Sequence, residues 1–244
     1  MAADNVAAWD RHAAAYQAGA RLGVEAAHYG PDIADESELA LLGNVKGKRV
    51  LELGCGGAQN AIAFAKQGAT AIGVDASKAM LDHARTLADK EQVKVELRQG
   101  DLADLSFLRG DSVDIVFSAN AFGYVEDLQR VFRQAHRVLV PKGVLVFSIT
   151  HPAYEMIDDD HPLEPLRIRR SYFDRSPIDV TWDGIPFTEH RHLLGDVITA
   201  LVRSGYRIDT VLEPEPTRTG PRSAFWRDTF QYVPRTLVVK AKKD

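Results

Sequence analysis

Short apolar runs alternate with stretches of helical periodicity through the middle of the chain. The apolar runs that predict strands lie at 49–53, 69–74, 93–99, 113–118 and 144–149. The periodic stretches that predict helices lie at 61–67, 77–89 and 126–138. Ser77 is suited to be the N-cap of the helix over 77–89. Such alternation is typical of a parallel sheet with helices on both faces, whose strands all end at one edge.

The segments on either side of this region have other patterns. Residues 1 to about 45 are rich in small residues and predict a helical cap, broken at Pro31. After the predicted turn at 141–143 and the fifth strand, residues 151–190 are rich in Pro, Asp, Arg and aromatic residues. They predict a long irregular insertion, which in compact domains is often a lid or a binding loop.

The last part of the chain returns to regular elements. A helix is predicted over 191–204, and strands at 206–212 and 236–241. We therefore predict one domain over 1–244. Its parts are a helical cap at 1–45, a core at 46–150, the insertion at 151–190 and a C-terminal helix and strands at 191–244.

Composition and charge narrow the choice of partners. Over 244 residues the net charge is −4, which gives no basic surface for nucleic acid or an anionic membrane. Cys55 is the only cysteine, so the sequence has no disulfide framework and no thiolate zinc cluster. No apolar run approaches the roughly 20 residues of a membrane span, and the N-terminus lacks a secretory signal pattern. We expect a cytoplasmic protein, as a monomer or a homodimer.

A glycine-rich turn follows the first predicted strand. Gly54, Gly56 and Gly57 remove side chains between that strand and the next helix, so a ligand can approach the backbone there. Dinucleotide-binding turns require a further glycine at position 59, and this chain has Gln59. The turn predicts a nucleotide site and disfavours a dinucleotide.

Acidic side chains occur at the ends of three strands. Glu52 could face a cationic ligand or satisfy backbone donors of the glycine turn. Asp75 lies about 20 residues after the turn, which suits a ribose diol; its alternative role as an N-cap is already filled by Ser77. Asp101 could accept from an adenine amine or from its own backbone. Met80 could pack on a base or in the core.

Four segments in order carry a resemblance to a known family. They are Glu52-Leu53-Gly54-Cys55-Gly56-Gly57, Gly73-Val74-Asp75-Ala76-Ser77, Gln99-Gly100-Asp101-Leu102 and Phe117-Ser118-Ala119-Asn120. Together with the segment 137–143 they resemble the class I S-adenosylmethionine-dependent methyltransferases, closest to the small-molecule type 11 branch. The resemblance covers about 45–150 and continues more weakly over 194–212. It implies a Rossmann-like, doubly wound, mostly parallel seven-stranded sheet with helices on both faces and an antiparallel last strand.

The resemblance also implies the roles of individual residues. The glycine turn would contact the methionine moiety, with Glu52 near its ammonium, and Asp75 would bind the ribose. Asp101 would bind the adenine, and Tyr16 on an N-terminal helix would close over the cofactor, unless it only packs against Trp9. The family often has a further glycine where this chain has Ala58. The expected cofactor residues are Tyr16, Glu52, Gly54, Gly56, Gly57, Asp75, Ala76, Met80, Asp101, Leu102, Ser118 and Ala119.

Two histidines are candidates for acid–base catalysis. His151 follows the fifth strand and is the candidate general base, or part of a structural turn with Pro152. His190 is a second candidate. Arg167 and its neighbours in the insertion could recognise an anionic or aromatic substrate, or form a solvated edge. Metal-dependent relatives carry acidic residues where this chain has 118–120, so we expect no metal.

The sequence therefore predicts methyl transfer from S-adenosylmethionine, leaving S-adenosylhomocysteine. The acceptor would be a small molecule, methylated without a metal by in-line displacement in a capped pocket. Two alternatives remain at this stage. One is a nicotinamide-dependent oxidoreductase, and the other is a catalytically silent cofactor-binding protein.

Overall fold

A computed structural model describes residues 3–157, 166–217 and 221–244. The strands are β1 Arg49–Leu53, β2 Thr70–Asp75, β3 Val95–Gln99, β4 Val113–Ala119, β5 Leu139–Thr150, β6 Ile178–Trp182, β7 Ile185–Glu189, β8 Tyr206–Leu212 and β9 Thr236–Lys243. The α-helices are α1 Ala3–Ala20, α2 Glu36–Leu39, α3 Gln59–Lys66, α4 Lys78–Lys90, α5 Leu128–Val138 and α6 Leu194–Arg203. No described helix has the length and apolar character needed to cross a membrane.

Seven strands form the main sheet, in the order β3-β2-β1-β4-β5-β9-β8. Pairing is parallel from β3 to β5, and β9 is antiparallel to both β5 and β8. The predicted mostly parallel sheet with an antiparallel last strand is therefore confirmed. The chain order reverses between β1 and β4, and a crevice at the carboxyl ends of strands is the usual ligand position at such a point.

Apolar strands with helices on both faces produce two buried clusters. One includes Leu51, Phe132 and Phe147, and the other includes Ile62 and Phe117. The central strands are buried on both faces, which explains why their sequences are continuous apolar runs.

Helix α4 begins where the sequence predicts. Ser77 is its N-cap, and its Oγ accepts from the Met80 N–H at 3.1 Å.

The predicted helical cap at 1–45 is wrong in its extent. Helix α1 ends at Ala20, and Arg21 follows with φ of +52°, a left-handed conformation that ends a helix. The chain from there to α2 is irregular, apart from an isolated bridge between Ile33 and Pro216.

The predicted turn at 141–143 lies inside a strand. Val113 pairs with Leu139 and Ile115 pairs with Val144, so residues 140–143 bulge out of β5 without ending it.

The insertion at 151–190 is not irregular throughout. Strands β6 and β7 form an antiparallel hairpin, with Asp183 (φ +49°) and Gly184 (φ +77°) at its turn. Asp-Gly between residues of high strand propensity is a hairpin signal that the sequence contains and the prediction missed. Residues 158–165 of the insertion lie outside the described residues.

Candidate active site

The glycine turn has little room for side chains. Gly54 has φ of +70°, and a Cβ added there would lie 2.2 Å from the Ala121 Cβ. The Gly54 N–H donates to the Val74 carbonyl at 2.8 Å, and the Gly56 N–H donates to Asp75 Oδ2 at 2.8 Å. The turn is thus bonded to the end of β2, which brings the predicted methionine and ribose contacts together.

Asp75 lies on the wall of a cavity of about 70 Å³, hereafter the cofactor cavity. Its Oδ1 accepts from the Ser77 N–H at 2.9 Å, and burial raises the pKa of its carboxyl. Each carboxylate oxygen has a second lone pair available for a ligand hydroxyl. The cavity is lined by Trp9, Tyr16, Gly54, Gly56, Asp75, Met80, Ala119, Asn120, Ala121 and Tyr124.

Glu52 bonds neither to a ligand-facing group nor to the glycine turn, but to the start of α3. It is 2% exposed and does not line the cofactor cavity. Asn60 Nδ2 donates to Oε1 at 2.8 Å and the Ala61 N–H donates to Oε2 at 2.9 Å, so the carboxyl group caps the start of α3. Burial raises its pKa to about 8, because two neutral donors do not compensate for the loss of water around a charged carboxylate.

The residues predicted for the adenine are only partly placed together. Met80 lines the cofactor cavity, and the Gln17 Nε2 donates to its sulfur at 3.5 Å. Leu102 is buried behind Gly54. Asp101 does not line the cavity, is exposed, and accepts from the Ala103 N–H at 3.0 Å, as a turn carboxylate does.

Three other predicted cofactor residues lie around the same strand ends. Ala119 lines the cofactor cavity. The hydroxyl of Ser118 is buried and donates to the Leu53 carbonyl at 2.8 Å, which ties β4 to β1. The Ala76 carbonyl accepts from Gln99 Nε2 at 3.0 Å.

Helix α1 covers the glycine turn. Asp10 Oδ1 accepts from Ser77 Oγ at 2.6 Å and from the Ala79 N–H at 3.0 Å, at the start of α4. The Gln17 amide lies 2.6–2.7 Å from where a Gly57 Cβ would be, and it bonds to Gln59. No motif spacing marks Asp10 or Gln17, so the sequence prediction missed both.

A second cavity of about 80 Å³, hereafter the acceptor cavity, adjoins the first. Its lining residues are Trp9, His12, Tyr16, Pro31, Asn120, Gly123, Tyr124, Thr150, Trp182, Glu189, Phe225 and Arg235. Trp9, Tyr16, Asn120 and Tyr124 line both cavities. These shared residues form a wall between the cavity at the glycine turn and a second pocket with five aromatic rings in its lining.

Comparison with known proteins identifies the family. The profile of the methyltransferase domain family Methyltransf_11 matches residues 51–147. A solved S-adenosylmethionine-dependent methyltransferase from Mesorhizobium loti is 30% identical, with a TM-score of 0.68, and the match covers 84% of this chain and 95% of that one. The chain belongs to the S-adenosylmethionine-dependent methyltransferases. The enzyme's cofactor is therefore S-adenosylmethionine, and the predicted family is confirmed.

Two further proteins are similar to the methyltransferase, one in its fold and one in the sequence of part of the chain. A solved protein from Listeria monocytogenes, described as a putative S-adenosylmethionine-dependent methyltransferase, has the same fold, with a TM-score of 0.71 at 24% identity over 84% of this chain and 94% of that one. The ubiquinone biosynthesis O-methyltransferase of Pseudomonas syringae pv. tomato is 36% identical over 105 residues, 43% of this chain and 45% of that relative. That match spans less than half of either protein.

The two predicted histidines lie outside both cavities of the methyltransferase. His151 Nδ1 accepts from the Ala153 N–H at 3.0 Å, so Nε2 carries the proton and bonds to Glu213 Oε1 at 2.7 Å. Both ring nitrogens are occupied, which disagrees with the predicted base role and favours the structural turn. His190 borders a smaller void beside Glu155 and His192. Among the described residues no group of three or more His, Cys, Asp or Glu could hold a metal ion.

Proposed function

We propose that this methyltransferase transfers the methyl group of S-adenosylmethionine to a small molecule bound in the acceptor cavity. The observation that carries the proposal is the shared wall of Trp9, Tyr16, Asn120 and Tyr124, because ligands in the two cavities would meet there. In-line methyl transfer needs such adjacency, and alignment of reactants can contribute roughly 7–11 kcal/mol to catalysis.

The chain's residues would bind and orient the two ligands. Asp75 accepts from the ribose hydroxyls, and the turn at Gly54 and Gly56 leaves its backbone open to the methionine moiety. The cofactor supplies an electrophilic methyl group on a sulfonium. Tyr16 and Trp9 exclude water from the transfer and offer aromatic faces that attract a cation by about 0.5–2 kcal/mol. The mechanism needs no metal.

The size and enclosure of the acceptor cavity support a small-molecule acceptor. It is a partly enclosed pocket beneath α1 and the β6–β7 hairpin, with aromatic side chains on several sides. The net charge of −4 gives no general attraction for nucleic acid. The name of the Pseudomonas relative, a ubiquinone biosynthesis O-methyltransferase, supports a small-molecule acceptor.

Binding of S-adenosylhomocysteine tests the cofactor site. Asp75→Asn should weaken binding at least tenfold, because a charge-assisted hydrogen bond contributes about 1.5–3 kcal/mol. Asp82→Asn, an exposed change on the same α4 region, should leave affinity unchanged. Calorimetry measures both. An unchanged affinity in Asp75→Asn would remove Asp75 from the proposed ribose contact.

Transfer of a labelled methyl group tests the reaction itself. The enzyme and labelled cofactor are mixed with a whole-cell extract, which is then separated into small-molecule, protein and nucleic acid fractions; at least one small molecule should be labelled. Labelling confined to the protein or nucleic acid fraction would contradict a small-molecule acceptor. The cofactor-binding variant Asp75→Asn is the matched control and should reduce labelling.

A further inference from the structure

The acceptor cavity contains an aromatic box, formed by the rings of Trp9, Tyr16, Tyr124, Trp182 and Phe225. Trp9 packs edge-on against Tyr16 and Tyr124, each with centroids 5.3 Å apart. Tyr16 stacks on Phe225 at 5.5 Å, and Trp182 meets Phe225 edge-on at 5.5 Å. Rings fixed by one another in this way offer flat faces and edges to a planar ligand.

The charged groups of the acceptor cavity are Arg235 and Glu189. The side chain of Arg235 lies over the Phe230 ring, with its Cζ 5.0 Å from the centroid. Among the described residues, no carboxylate forms an ion pair with it. Glu189 Oε1 accepts from the Tyr124 hydroxyl at 3.2 Å, and one carboxylate oxygen remains for a ligand.

Three residues that line the acceptor cavity have buried polar atoms without a hydrogen bond. Within the described part of the chain these atoms are His12 Nδ1, Asn120 Oδ1 and Trp182 Nε1. His12 Nδ1 lies 3.5 Å from Asp183 Oδ2, so Asn120 Oδ1 and Trp182 Nε1 have no polar group assigned to them. Buried polar atoms are normally satisfied, so a donor and an acceptor left open around a cavity point to a polar ligand.

We propose that the methyl acceptor is an aromatic acid: a planar ring within the aromatic box, an anionic group on Arg235, and a hydroxyl or amine that donates to Glu189. The proposal rests on the proposed function, since it names the acceptor class for that site. An uncharged aliphatic acceptor would leave Arg235 without an anion. A dianionic acceptor would place its second charge against Glu189.

The fit explains why both charged groups are present in a mostly aromatic pocket. A guanidinium binds a carboxylate through two parallel N–H groups, which fixes the orientation of the ring as well as its charge. Glu189 then selects the end of the ligand that carries a proton donor. Burial raises the pKa of the Glu189 carboxyl, whereas Arg235 and the Tyr124 hydroxyl lower it.

Binding of a matched set of ligands in the presence of S-adenosylhomocysteine tests this assignment. The probes are 4-hydroxybenzoate, the uncharged 4-hydroxybenzamide, and the non-planar 4-hydroxycyclohexanecarboxylate. We expect the benzoate to bind the wild-type enzyme at least tenfold more tightly than either of the others. Equal affinities for the benzoate and the benzamide would overturn the role of charge, and equal affinities for the planar and non-planar acids would overturn the aromatic box.

Arg235→Gln should remove the preference for benzoate over benzamide and leave the benzamide affinity unchanged, so the neutral probe reports that the cavity is intact. Arg203→Gln, an exposed change on α6, should retain the preference. An unchanged preference in Arg235→Gln, or an equal loss of both ligands, would overturn the assignment.

The labelling experiment distinguishes an incorrect acceptor class from an incorrect methyltransferase function. If metabolites are labelled but none is an aromatic acid, the acceptor class is wrong and the methyltransferase function stands. If the enzyme binds S-adenosylhomocysteine but labels no small molecule, both are overturned.

Discussion

Gly54 combines a constraint on the backbone with a steric one. Its φ of +70° disfavours a side chain, and a Cβ would lie 2.2 Å from that of Ala121. Gly43 has a similar φ of +64° and no neighbour within 4 Å of the Cβ position. The pair separates the effect of backbone conformation from that of close packing.

Gly54→Ala should therefore be much more destabilising than Gly43→Ala. We expect about 1–2 kcal/mol for the left-handed conformation in each, and about 1–3 kcal/mol more at Gly54 for the overlap with Ala121. Denaturant unfolding measures the two free energies. Equal losses would mean that Ala121 moves aside without cost.

Residue type was enough to expect Asp75 at the edge of the sheet and left two roles open for Glu52, for a physical reason. Asp75 is the last residue of β2, so its side chain lies at the carboxyl edge of the sheet, where it lines the cofactor cavity. Glu52 lies within β1, and side chains alternate between the two faces of a strand. Tertiary packing decides which face of β1 lies against the start of α3, and a single sequence does not reveal it.

Helix α1 is attached to α4 through the side chain of Asp10. Asp10 accepts from the Ser77 hydroxyl and the Ala79 N–H, so it acts as an additional N-cap for α4. Its loss leaves the Ala79 N–H without its partner and releases one end of the contact between α1 and α4.

Both cavities, at about 70 and 80 Å³, are smaller than the roughly 300–1,000 Å³ of typical ligand sites. We therefore expect α1 to shift when ligands bind.

Asp10→Ala should destabilise the docking of α1 by about 1 kcal/mol, the usual effect of losing an N-cap. Hydrogen exchange should accelerate in α1 about fivefold, while the amides of β1 and β4 keep their protection. Arg11→Ala, an exposed change one residue away, is the control and should exchange like the wild type. Unchanged protection of α1 in Asp10→Ala would show that Gln17 and the aromatic contacts hold the helix alone.

The elements of the core were predictable because each follows from local periodicity. The bounds of β1 and β8 agree with the sequence prediction, and α4 differs by one residue at each end. The length of α1 was not predictable in this way, since small residues continue past Ala20 without an apolar stripe to mark its end. The β6–β7 hairpin carried a local signal at Asp183 and Gly184, and the length of the surrounding insertion obscured it.

At the scale of the whole molecule, buried titratable groups connect stability to pH. Burial raises the pKa of Glu52 to about 8 and that of Glu155 to about 7, and it lowers the pKa of His28 to about 4. Below pH 6.5 the unfolded chain protonates His28 more readily than the folded protein does. Above pH 6.5 this histidine is neutral in both states, and the two raised carboxyls decide the direction.

The free energy of unfolding should therefore fall as the pH rises from 6.5 to 8. The unfolded chain has already lost these protons near pH 4.5, whereas the folded protein loses them only in this range, so rising pH favours unfolding. Glu52→Gln should reduce the slope, with Glu96→Gln on exposed β3 as the control. Urea unfolding at several pH values gives the slope. A stability that rises over this range would contradict the burial of Glu52 as a neutral acid.

The acceptor cavity shows the limit of sequence prediction at this scale. Its residues come from α1, the ends of β4 and β5, the β6–β7 hairpin and two positions near β9. No motif spacing connects them, because tertiary folding brings them together from separate parts of the chain. The cofactor cavity, in contrast, is built mainly from strand ends adjacent in the sheet, and the motifs there include several of its lining residues, such as Gly54, Asp75 and Ala119.

The wall shared by the two cavities has a thermodynamic consequence. Trp9 and Tyr16 on α1 line both cavities. A ligand that orders α1 from one cavity therefore removes the free-energy cost of ordering it when the second ligand binds. Linkage requires the effect to be mutual: whatever factor the cofactor product adds to the affinity of the acceptor, the acceptor adds to the affinity of the product. An enzyme of this construction would bind its two reactants together more tightly than it binds either one alone, so the complex with both ligands would accumulate at the expense of the complexes with one.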